Sequence, residues 1–398
     1  MNSKFILIWV LFHLLMIPVL DILYPSYENA ERILPYINQG IMLIAMSIYI
    51  IQNLNIIRKT DKSRLNMVIS LLWIMFIIYY AVSSYSLVAD LSKIMKITMW
   101  IFGYLFFYII AYKGILKIKM LSYISLFFII IYSIKIFLYL SSPANYESNR
   151  AFAISNESYF LLFFMPMLLI VKFKFKYIVL FLIFMITLYS MKRGAMITIG
   201  FCFLSMVFTN KFGFIRKLKF GTLFQILFVL AIIVSAYIYV EKNATIYESR
   251  FSDLQGDDYE RMGSGRGKLY SLPIERWYSS HIYYIAFGYG FNGVPHYLEE
   301  KIGTDFYSHS DWVLIIHDYG LLGIIIFLGF LYHLFKPLKY IPKLELPYFQ
   351  ALLFCAIIFF VKAIFSGSII YPQTIYLMIT IGFINGEIQR NLMMKNET

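Results

Sequence analysis

Along most of this chain, apolar residues run unbroken for the length of a membrane-spanning helix, and polar residues gather in the connectors between the runs. A bilayer core of about 30 Å needs about 20 apolar residues of helix. On that measure the candidate spans are 5–23, 37–57, 65–85, 94–112, 120–140, 156–171, 177–190, 195–209, 221–240, 310–333, 348–366 and 369–386. The pattern predicts an all-α polytopic membrane protein of about twelve transmembrane helices. It divides into 1–240 with nine spans, a long outer loop over 241–309 with short helices, and 310–398 with three spans and a tail. No small-x-small cleavage site follows the first run, which reads as a retained span.

Composition agrees with that class. Of 398 residues, 60% are hydrophobic and 14% charged, against roughly 25% charged in soluble domains. The net charge of +13 raises the question of nucleic acid, which the position of the charges answers. Lys4, the groups at 58–64, 113–119, 172–176, 211–219 and 336–343, and Arg390 with Lys395 hold 20 of the 35 basic residues. With twelve spans all of these fall on one side, which the positive-inside rule makes cytoplasmic together with both termini. The charge is topological, and no nucleic-acid partner is expected. Cys202 and Cys355 lie inside apolar runs and read as packing residues.

The opposite face receives the one long polar segment. Its mixture of aromatic, Gly, Pro and charged residues reads as a folded cap. Ser271-Leu-Pro273 resembles a helix start. A helix over about 273–286 would carry Ile274, Trp277, Tyr278, Ile282 and Ile285 on one side, a stripe suited to a membrane surface.

Three groups on this face are candidates for chemistry. Lys192-Arg193-Gly194 sits at a tight turn between two short spans. It reads either as a pair of interfacial anchors or as an anion site made by Arg193 and the helix N-terminus that follows. In Gly263-Ser-Gly-Arg266-Gly-Lys268, flexible glycines allow backbone N–H groups to converge with a guanidinium on phosphate oxygens, the alternative being a solvated turn. His309-Ser-Asp311 stands at the mouth of span ten, where an imidazole is either structural or able to take a proton near neutral pH. Arg150 is a fourth candidate. His317 and Asp318, about two turns inside span ten, should face the bundle interior or a watery cavity. Lys135 and Lys362 lie near outer helix ends, where snorkelling is the simpler account. Gly288-Tyr-Gly290-Phe-Asn-Gly293 spells G-x-G-x-x-G but belongs to no βαβ unit. No HExxH, CxxC or paired-Asp metal motif appears, so neither a metal nor a cofactor is expected.

Taken in order, these pieces resemble the O-antigen polymerase and ligase family (Wzy/WaaL type). The matching residues are Ser190-Met-Lys-Arg193-Gly194-Ala195, Gly265-Arg266 followed by Trp277, Phe287-Gly288-Tyr289-Gly290, His309-Ser310, and Gly320-Leu-Leu-Gly323. The motifs cover about 150–330, and the rest resembles the family in topology alone. Two departures stand out: the family often has His-Asn where this chain has His309-Ser310, and Lys192 replaces a small residue, adding a charge at the phosphate site. The resemblance implies a bacterial inner-membrane glycosyltransferase of lipopolysaccharide or capsule biosynthesis, with its active site on the outer, periplasmic face. It would take glycan from an undecaprenyl-diphosphate-linked oligosaccharide, with inversion and without metal. Arg193 and Arg266 match arginines assigned to the diphosphate, and His309 matches a histidine that orients or deprotonates the acceptor hydroxyl. Arg150 resembles an arginine of the polymerase branch, and Lys192, Asp311, His317 and Asp318 complete the expected substrate contacts. Membrane lipids and a chain-length regulator are the further partners implied. Polymerase is favoured because Arg150 with Asn156 resembles that branch. A ligase of the same family and a flippase for the same lipid-linked sugar are the alternatives.

Overall fold

The computed structural model describes residues 2–23, 33–60, 65–83, 87–141, 157–171, 175–190, 192–214, 234, 241, 262–303, 307–339 and 346–397. Among them the regular structure is helical, without strands. In chain order the helices are α1 (Ser3–Leu23), α2 (Ile33–Gln52), α3 (Leu54–Thr60), α4 (Leu65–Ser83), α5 (Leu87–Tyr112) and α6 (Ile118–Ser141). Then come α7 (Glu157–Leu162), α8 (Met165–Ile170), α9 (Lys176–Tyr189) and α10 (Arg193–Phe214). After the undescribed stretch follow α11 (Met262–Tyr278), α12 (Ile282–Phe287), α13 (Gly293–Ile302), α14 (Asp311–Phe335), α15 (Leu346–Phe365) and α16 (Thr374–Glu397). Seven of the described helices are long and apolar enough to cross a membrane, and three shorter apolar ones cover 157–170, 176–189 and 193–206. The expected ninth span, 221–240, lies outside the described residues except for Val234, and Arg150 and Asn156 also lie outside them.

The bundle is built around α16 and α5. Every residue from Gln373 to Ile388 is buried, as is all of Ile97–Ala111 except Phe102. A helix that is apolar all round belongs at such a centre. Close approach needs small residues at the seam, and α16 supplies Gly382 and Gly386 one turn apart. A Cβ at Gly382 would come within 2.5 Å of the Tyr104 carbonyl oxygen, and Gly386 sits in the same way on Tyr108. Across the bundle, Cys202 on α10 and Cys355 on α15 are buried free thiols.

Several expectations are corrected. The run at 156–171 is two six-residue helices broken at Phe163 and Phe164, with Pro166 at the start of the second. No helix starts at Pro273: α11 begins eleven residues earlier, at Met262, and carries Pro273 in its interior. It stops at Tyr278, and Trp277 Nε1 donates to Ile285 O (3.1 Å), folding α12 back on α11. The glycines at 263, 265 and 267 are therefore helical, tertiary packing having overridden their low propensity. Tyr278, Ile282, Tyr283 and Phe287 remain exposed. Lys135 does not reach for solvent alone; it bridges Glu157 (2.9 Å) and Asp21 (3.7 Å), tying α6 to α7 and α1.

α14 breaks in its interior at Gly320 (φ 60°, ψ −155°). The break releases helical carbonyls, which must find other donors inside a membrane. Tyr289 N donates to His317 O and Gly290 N to Asp318 O, both at 2.9 Å. The glycine motif thus closes the break: a Cβ on Gly320 would meet Gly288 N and Ile285 O, each at 2.6 Å. Tyr79 and Ser83 of α4 hold the same loop through Phe287 O and Phe291 N (2.6 and 3.0 Å). Gly320→Ala should therefore lower the melting temperature of the purified protein, its φ/ψ strain alone costing about 1–3 kcal/mol. Gly40→Ala, with nothing within 4 Å of its added Cβ, should leave melting unchanged or slightly raised. Equal melting of the two variants would contradict the lock.

Candidate functional site

A helix ends with carbonyls that have no partner in the helix, and the end of α15 gathers three donors from α11 and the start of α14. Arg266 Nη1 of α11 donates to Phe365 O (2.8 Å). One turn on, Tyr270 OH donates to Ile364 O (3.2 Å). Ser310, whose hydroxyl also caps α14 at Val313 N, donates to Ala363 O (3.4 Å). The negative end of the helix dipole favours cations at this place. One N–H of Arg266 is fixed by Phe365, and its fork carries five in all.

The connector from α15 to α16 is held by a buried carboxylate. Asp311, at the first position of α14, accepts from Ser368 N (2.6 Å), Ile369 N (3.1 Å) and Tyr307 OH (2.9 Å). Gly367 at φ 71° lets the connector pass, since a Cβ there would overlap the Tyr307 ring. Lys362 faces the same connector. The snorkelling expectation fails for it: the residue is 2% exposed. Its ammonium donates to Gly367 O and lies 4.3 Å from the Tyr371 ring centre, with Tyr159, Phe160 and Phe163 within 6 Å. Aromatic faces attract a desolvated cation, and the buried carboxylate of Asp311 opposes the cost of burying this one.

His309 precedes this corner with φ 55°, a left-handed conformation that is uncommon outside glycine and recurs at functional sites. It is half-buried. Burial, followed by the positive charges of Arg266, Lys192 and Lys362, pushes its imidazole down to about 4. It is therefore neutral at pH 7 and faces a site rich in positive charge. Bound anions oppose those cations and move the imidazole back towards its ordinary value.

The turn before α10 closes the corner from the other side. Ser190 ends α9, Lys192 N donates to the Ser190 hydroxyl (3.4 Å), and Arg193 opens α10. Gly194 packs directly beneath the Tyr159 hydroxyl and 3.4 Å, measured from its ideal Cβ, from Phe365 Cβ. The α10 N-terminus and Arg266 thus adjoin one residue, Phe365. Lys192, Gly194 with its neighbour Arg193, Arg266, His309 and Asp311 all come to the end of α15.

His317 and Asp318 are engaged elsewhere. Asp318 accepts from Gly293 N (3.1 Å) and Val294 N (2.9 Å), fixing the start of α13, and bonds His317 Nδ1 at 2.7 Å. The His317 ring stacks on Tyr289 (4.8 Å), and the guanidinium of Arg276 lies over Tyr289 (4.0 Å) and Tyr297 (4.3 Å). Their burial met the expectation that they face inward, and the contacts they make there hold the loop that closes the α14 break. Tyr159, Tyr307 and Tyr371 escaped sequence reasoning, and Lys362 reads in the sequence as snorkelling. Only Lys362 left a signal, as a charge near the end of an apolar run.

The lowered His309 value has a consequence for stability. Between pH 6.5 and about 4, the unfolded chain takes up a proton that the folded imidazole refuses, so His309 makes folding less favourable as pH falls through that window. His309→Asn, which tolerates positive φ, removes this effect. Relative to wild type, the variant should gain at most about 2 kcal/mol on going from pH 7.5 to pH 5. Thermal melting at the two values checks it, and a gap that stays constant or moves the other way refutes the environment described for His309.

Compared with known proteins, the chain matches no family model and no curated protein.

Proposed function

We propose that this chain is a membrane glycosyltransferase of the polysaccharide-polymerase kind, taking glycan from an undecaprenyl-diphosphate donor on the outer face of the bacterial inner membrane. One observation carries the reading: Arg266 and the first turn of α10 both adjoin Phe365 at the end of α15, where the charges of Arg266, Lys192 and Lys362 act on His309. Such a set suits a reaction in which a diphosphate departs with growing negative charge. Donors fixed where charge develops are worth about 3–4 kcal/mol each to a transition state.

In this reaction the acceptor sugar hydroxyl attacks the anomeric carbon of the donor, from the face opposite the diphosphate. A new C–O bond forms as the bond to the diphosphate oxygen breaks, and the electron pair leaves with the diphosphate. His309 accepts a hydrogen bond from the attacking hydroxyl and takes its proton as the bond forms, passing it to solvent or to the departing diphosphate. Arg266, and Arg193 with the first N–H groups of α10, hold the phosphate oxygens. Lys192 adds charge from the rim, and Lys362 from behind its aromatic wall. Asp311 acts on the backbone that carries this set rather than on substrate.

A ligase using the same donor would need the same corner. A flippase draws support from the break at Gly320, since transporters use broken helices to expose carbonyls. Here those carbonyls are bonded to Tyr289 and Gly290, which favours transfer chemistry.

The test is made in the native host lacking this gene, with its surface glycan displayed on a gel. Loss of the ladder with a single repeat retained is the expected knockout result, and wild type should restore the ladder. Arg266→Ala, Arg193→Ala and His309→Ala should each cut polymer by about a hundredfold or more. Long chains stranded on the lipid carrier would identify a ligase. Full rescue by the arginine variants would overturn the catalytic reading and favour transport.

A further inference from the structure

Two buried hydroxyls beside Arg266 have no hydrogen-bond partner beyond one another. Tyr159 is 2% and Ser366 8% exposed, and among the described residues neither oxygen has a partner besides the other. The two hydroxyls stand close enough to pair with each other, and the charge of Arg266 acts on that of Tyr159. That hydroxyl also lies directly over Gly194, so that any side chain at 194 would overlap it. Gly194 belongs to the first turn of α10, whose leading N–H groups have no acceptor within the helix. Met196 N is already bonded, to Lys192 O at 3.0 Å.

Buried polar groups in folded proteins are nearly always paired, and removing an acceptor from one is costly. Here a pair of hydroxyls, of which at least one donor is left without an acceptor, stands between a guanidinium and a helix N-terminus. The same pattern of donors suits phosphate oxygens, which accept several hydrogen bonds at once. Tyrosine and serine would add directional donors that leave the site's charge unchanged.

We propose that Tyr159 and Ser366 donate their hydroxyls to a phosphate group bound between Arg266 and the N-terminus of α10. The proposal rests on the diphosphate-dependent reading above, and makes both residues binding residues for the donor. It also explains the glycine at 194: a side chain there would displace the Tyr159 hydroxyl from the phosphate.

The experiment measures binding of undecaprenyl diphosphate and, separately, inorganic diphosphate to the full chain in detergent, alongside its melting temperature without ligand. The variants are Tyr159→Phe, Ser366→Ala and Arg266→Gln. A hydrogen bond to a charged group corresponds to roughly tenfold in affinity or more. Tyr159→Phe and Ser366→Ala should each weaken both ligands by about that factor. Melting should change little, because without ligand the only partner either hydroxyl has is the other. Lower melting with unchanged affinity would make the hydroxyls structural and overturn the inference, while the glycosyltransferase reading stands if Arg266→Gln still weakens binding. Tyr159- and Ser366-dependent binding of inorganic diphosphate alone would uphold the cradle and overturn the lipid-linked donor. Binding of neither ligand by wild type would overturn both.

Discussion

The unpaired carbonyls at the end of α15 are the constraint on which the corner depends. Ala363, Ile364 and Phe365 take donors from Ser310, Tyr270 and Arg266, so one helix terminus sets the positions of α11 and the start of α14 together. Asp311 then fixes the connector beyond that terminus through two backbone N–H groups. His309 lies one residue before Ser310 and inherits its placement from it. An arginine proposed to bind phosphate is thus also a structural tie, which holds one edge of its guanidinium rigid and orients the rest.

A second constraint operates along α14. The break at Gly320 would leave carbonyls exposed in an apolar bundle, and the Gly288–Gly290 loop supplies the missing donors. That loop is fastened to α4 through Tyr79 and Ser83 and to α5 through Asn292, which bonds Asp90 (2.9 Å) and Lys93 (2.6 Å). His317, Asp318 and Arg276 belong to this lock. Rigidity on one side of α14 and a charged corner at its start fit a site that must hold its donors in place as charge develops.

Much of the helical framework was legible because membrane spans declare themselves by length and apolarity. The central position of α16 was not, since its tail carries Glu387, Arg390 and Lys395 and only the spacing of Gly382 and Gly386 hints at a close neighbour. Arg266 was singled out on a wrong local structure: glycines suggested a loop, and packing against α13 and α14 made a helix. Lys362 was misjudged because an ammonium near a helix end can turn out to water or in to aromatic rings, and sequence does not say which. Tyr159 gave no signal at all among 34 tyrosines. Its significance lies in an oxygen placed over Gly194, a relation that exists only in three dimensions.

The most direct measurement is an experimental structure of the full chain with undecaprenyl diphosphate bound. The account predicts phosphate oxygens within hydrogen-bond distance of Arg266 and of the first N–H groups of α10, with His309 facing the adjoining space. A diphosphate bound instead beside His317 and Asp318, with Arg266 untouched, would contradict it.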